Sequence, residues 1–94
     1  MKQSERELRR LLQSIGMKFF VEFYNKFADS GLTNAEIVDM LPSYLERTAR
    51  ETRVRKARQI IDRGWTREAI ELIAEARRVD PSAARRARYL LERL

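Results

Sequence analysis

The sequence predicts an all-α protein, a compact bundle of about five helices with a helix-turn-helix-like core and a C-terminal helical hairpin. Only three glycines and two prolines interrupt its 94 residues. No stretch alternates apolar and polar residues as a half-buried strand does, and apolar residues recur every three or four positions between turn signals. At 44% hydrophobic the chain holds enough apolar surface to fold despite 36% charged residues. A chain this short supports one core. Residues 1–94 are therefore expected to form a single helical domain, whose N-terminal part, 1–52, and C-terminal part, 53–94, share a long third helix.

Ser4 and Glu7 have capping-box spacing and open helix one. Leu8, Leu12, Ile15, Phe19, Phe23 and Phe27 follow at helical intervals, widened by Phe20, Val21 and Tyr24. At this spacing aromatic residues belong to a core rather than to a ligand pocket, and Gly16 marks a bend. Asp29-Ser30-Gly31 ends the helix. Thr33 and Glu36 form a second capping box for a short helix over 34–41, which Pro42 stops. Ser43 and Glu46 form a third, launching a long helix that runs to Arg63, before Gly64. Thr66 caps a fourth helix over 67–79. Asp80, followed by Pro81 at the first helical position, starts a fifth, with Ala84, Ala87, Leu91 and Leu94 as its apolar side.

On the third helix, Leu45, Ala49 and Thr52 share one side, whereas Val54, Ala57, Ile60 and Ile61 centre roughly a third of a turn away. The helix should be a shared spine. Its first half would pack on helices one and two and its second half on helices four and five, with Thr52 or Arg53 near the waist and Ala57 close against the fourth helix. Its remaining face has two readings. Arg47, Glu51 and Arg55 form a four-residue ladder, as do Arg58 with Asp62 and Glu46 with Arg50, so the charges can pair along a solvated helix. Arg53 and Lys56 have no such acid and are free to reach phosphates or a distant acid such as Asp39.

"SGLTNAEIVDML" resembles the helix-turn-helix of LuxR-type regulators, through Gly31, Leu32, Thr33, Asn34, Glu36 and Ile37. "YNKFADSG" and "LERTAR" on either side resemble the end of that family's first helix and the start of its recognition helix, so the likeness covers residues 24–50. "PSYLERT" carries one residue more than the family's turn. The resemblance implies double-stranded DNA binding in transcription regulation. Arg47 and Arg50 would then read base edges, and Ser43, Tyr44, Arg55 and Arg58 would hold phosphates with Arg53 and Lys56 beside them. Downstream, Ala57, Ile60, Gly64, Ala69, Ile73, Ala76 and Pro81 resemble one degenerate tetratricopeptide-like hairpin at 54–81, which implies close helix packing and, secondarily, a protein-binding groove.

The net charge of +6 and pI near 10.3 favour an anionic partner such as DNA. The chain contains no cysteine and no histidine, which removes disulfides, the usual zinc ligands and the commonest neutral-pH general base. No glycine-rich phosphate loop is present. Glu68, Glu71 and Glu75 share a helix face, but Arg67 and Arg78 stand at pairing distance from Glu71 and Glu75, so this face is expected to be solvated rather than catalytic. No enzyme activity, cofactor or metal is expected. Neither a membrane-length apolar run nor a secretory signal is visible, which suggests a cytoplasmic protein. The alternative to DNA binding is a protein-interaction or assembly module. Tyr89, Leu90, Leu91 and Leu94 suggest a homodimer through the C-terminal helix.

Overall fold

A computed structural model describes residues 3–94. Their regular structure is entirely helical, without strands, in seven helices: α1 (Gln3–Ile15), α2 (Met17–Glu22), α3 (Tyr24–Phe27), α4 (Asn34–Met40), α5 (Arg47–Asp62), α6 (Thr66–Glu75) and α7 (Pro81–Leu91). The all-α expectation holds. Two more helices appear because helix one divides into three. Gly16 adopts φ 92° and breaks the helix outright, and Phe23, at φ −108° and ψ 17°, turns it again. At that second break the Val21 carbonyl accepts from Arg86 Nε, at 3.4 Å.

The Thr33–Glu36 capping box forms as expected, with Glu36 N–H donating to Thr33 Oγ1 at 3.2 Å and Thr33 N–H to Glu36 Oε1 at 2.9 Å. Asp80 likewise caps α7, accepting from Ser82 N–H at 2.8 Å. The other two boxes do not form. Ser4 already lies within α1. Ser43 sits in the connection over 41–46, where the Leu45 N–H closes a turn onto the Pro42 carbonyl at 3.2 Å; Glu46 becomes the N-cap and α5 starts at Arg47.

Helix α5 ends in a Schellman motif. Gly64, at φ 74°, donates to Ile61, and Trp65 donates to Ile60, each at 3.0 Å. Trp65 then serves as the N-cap of α6, so Thr66 is already helical rather than a cap. Helix α6 stops at Glu75, not Val79.

Leu12, Ile15, Phe20, Phe27, Ile37, Val54, Ala57, Ile60, Ile70, Ile73 and Ala87 belong to one continuous core, and among the described residues no polar side chain is fully buried. The spine expectation needs correction. Helix α5 packs on α1 and α4 and barely touches α6, while the α6–α7 hairpin sits on α2. The break at Gly16 lets α2 leave the line of α1 and carry the hairpin. Because α7 contacts both α6 and α2, its core face shifts to Ala83, Ala87 and Leu90, leaving Leu94 exposed.

Candidate functional site

The side chains expected to contact DNA do not share one surface. Arg50 reaches inward to the Val38 carbonyl at 3.0 Å. Arg53 donates to the Ile15 carbonyl and lies 4.9 Å from the centre of the Phe19 ring. Arg58 bridges the carbonyls of Asp29, at 2.9 Å, and Leu32, at 2.8 Å. The Nε atoms of Arg50 and Arg58 are shielded from solvent. With Arg86 on Val21, an arginine therefore caps the chain at or near the end of each of the first four helices, where carbonyls lack helical partners and the dipole is negative.

The other expected residues remain outside. Ser43 is exposed, Tyr44 is 81% exposed, and both lie in the connection before α5 rather than on the helix. Arg47 pairs with Asp39 at 3.5 Å and with Glu51 at 4.0 Å. Arg55 is exposed, and Lys56 lies in a cleft beside Glu7 and Arg10 of α1. Thus the solvent-facing strip of α5 sets Arg47 and Arg55 against Glu51 and Asp62, with no net charge. The signal for the inward arginines was present: Arg50 and Arg58 lie four residues before and after Val54, inside its apolar stripe.

Two grooves collect the chemistry that α5 lacks. The first, of about 850 Å³, runs past Tyr44, Phe19, Lys18, Arg77, Arg78 and Val79. Here Lys18 donates to Asp80 at 3.3 Å. The second, of about 810 Å³, lies between α1 and α6 and is lined by Ser4, Glu5, Leu8, Trp65, Glu68, Glu71, Leu72 and Glu75. Leu8 is buried and Trp65 and Leu72 are half-buried in its apolar floor. Arg63 stacks 5.0 Å from the Trp65 ring centre and binds Glu7 at 2.6 Å, fixing the indole at one end.

The pairings expected for Glu71 with Arg67 and Glu75 with Arg78 are absent: no ion pair among the described residues includes Glu68, Glu71 or Glu75, and only Glu5 of the groove is paired, with Arg9 at 3.3 Å. Nor do the acids converge, since no group of three among the described residues could hold a metal ion. A basic molecule thus presents a groove with four carboxylates and no cation in its lining. Elsewhere the outward face of α7 carries Arg85, Arg88 and Tyr89, and neither arginine is ion-paired.

No described helix is long and apolar enough to cross a membrane. No protein-family model matches the chain, and no curated protein or solved structure matches it.

Proposed function

We propose that the chain is a non-enzymatic protein-interaction module whose α1–α6 groove receives a basic, amphipathic segment. The observation that carries this reading is the groove itself, an apolar floor of Leu8, Trp65 and Leu72 rimmed by four carboxylates, three of them without a partner. Apolar contact supplies the affinity for a docking helix, and the like-charged rim selects a segment bearing arginine or lysine beside its apolar positions.

The second reading, DNA binding in a regulatory role, keeps the solvent-facing Ser43, Tyr44, Arg47 and Arg55, with the half-buried Lys56. It is favoured by the net charge of +6, which attracts phosphates at long range. Against it stand the balanced face of α5 and the inward use of Arg50, Arg53 and Arg58.

Fluorescence anisotropy tests both. A labelled helical peptide with arginines flanking leucine and tyrosine should bind, its glutamate-bearing counterpart should not, and Glu71→Arg with Glu75→Arg should weaken binding at least about tenfold, about 1.4 kcal/mol. No binding of the arginine peptide overturns the interaction reading. A mixed-sequence DNA duplex that binds with a steep salt dependence would instead put the second reading first.

A further inference from the structure

We propose that the occupant of the α1–α6 groove is a second copy of this chain, which inserts the Arg85, Arg88 and Tyr89 face of its α7. The proposal rests on the groove's being a docking site, as read above. Arg85, Arg88 and Tyr89 follow one another at helical spacing on one side of α7, opposite Ala83, Ala87 and Leu90, which are buried within their own molecule. That face points away from its own core, so it cannot turn back into the groove of the same chain.

The two surfaces match in charge and in apolar content. The groove offers Glu68, Glu71 and Glu75 along about 10 Å of α6, and the α7 face offers two unpaired arginines. Tyr89, 44% exposed, is one of the four large apolar side chains left most open to solvent, and the groove floor is where it would be covered. Tyr89 is also held in place before docking. Arg93 lies 3.5 Å and Arg86 5.1 Å from its ring centre, so less side-chain freedom is lost on association. Groove and α7 face share no residue, so the contact is heterologous: the receiving copy still presents its own α7 face, and assembly continues into a ring or a chain.

Sedimentation equilibrium of the full chain and two charge-reversed variants decides the matter. The parent should associate by about 100 µM. Glu71→Arg/Glu75→Arg and Arg85→Glu/Arg88→Glu should each be monomeric, because the strip then meets like charges at positions 71 and 75. Mixed, they should associate one-to-one, since the strip of each again meets opposite charges at positions 71 and 75 of the other. Circular dichroism matching the parent shows that the exposed changes have not unfolded either variant. A monomeric parent, variants that associate like the parent, or a mixture that stays monomeric overturns the second copy as occupant. If the arginine peptide still binds the parent, the groove reading stands and only this occupant falls; if the peptide does not bind either, both fall.

Discussion

On α5, Arg50, Arg53 and Arg58 point inward and bind main-chain carbonyls, whereas on α7 Arg85 and Arg88 stand in solvent and Arg86 turns back to Val21. The difference follows from what each helix packs against. Helix α5 lies between α1 and α4, two helices that stop abruptly at Gly16 and Pro42 and leave carbonyls facing it. A long side chain carrying a planar fork of donors reaches such groups while its aliphatic stem covers apolar surface. Helix α7 packs through alanines and Leu90, close contacts that leave its arginines on the far side. Arginine content therefore does not identify a phosphate-binding helix; the acceptor at the end of each side chain does.

The largest expected effects break the inward set. Arg58→Ala leaves two carbonyls without their charged donor and should cost about 2–3 kcal/mol. Arg53→Ala also removes the stacking on Phe19 and should cost at least as much. For a domain of this size either change lowers Tm by roughly 10 °C or more. Arg58→Lys should restore less than half of the loss, because an ammonium on a flexible stem does not reproduce the fork. Calorimetry of the three variants checks this. A Tm within a degree of the parent for Arg53→Ala would place the α5 arginines in the same solvated class as those of α7.

What the sequence made legible was local. The Thr33–Glu36 box, the Asp80–Pro81 start and the Gly64 stop each depend on residues within one turn, and each forms as read. Of the aromatic stripe, Phe20 and Phe27 are buried in the core, while Phe19, Phe23 and Tyr24 pack half-buried against it. What stayed hidden depended on distance along the chain. Ser43 and Glu46 have the spacing of a cap, but Leu45 turns back onto Pro42 and the helix starts only after Glu46. Arg53 meets Ile15, thirty-eight residues away, and no spacing rule reports that pairing. The acidic groove was hidden for the same reason. Glu68, Glu71 and Glu75 were visible as one helix face, but Leu8 and Glu5 of α1, which turn that face into a groove, come from the other end of the chain.

An intermediate effect should appear on the α7 side with pH. Hydrogen bonds from Ser82, aided by Lys18, hold the Asp80 carboxyl down from an ordinary 3.8 to about 2. A depressed carboxylate contributes stability that is fully present above its unfolded pKa and is lost as pH falls through the folded value. The urea midpoint should therefore fall between about pH 4 and pH 2. Glu36 shifts in the same direction through its bonds within the α4 capping box, so the parent curve contains both. Asp80→Asn separates them, because asparagine still caps but does not titrate. Its curve should be flatter over this interval, and an unchanged curve would remove Asp80 as a contributor.

The smallest effect on folding is expected where the proposed function is largest. Arg85→Ala and Arg88→Ala delete exposed side chains with no ion-pair partner, so each should change stability by no more than about 0.5 kcal/mol. Arg86→Ala is the control on the same helix. It removes a donor to Val21 at the long distance of 3.4 Å and should cost about 1 kcal/mol, between the two classes. These comparisons belong at about 1 µM, below the expected association. At higher concentration docking adds stability to whichever chains associate. The parent Tm should then rise with concentration, while that of the Arg85→Ala/Arg88→Ala double variant stays level. Equal concentration dependence in both would mean that the outward arginines take no part in assembly, and the contrast between α5 and α7 would be one of packing alone.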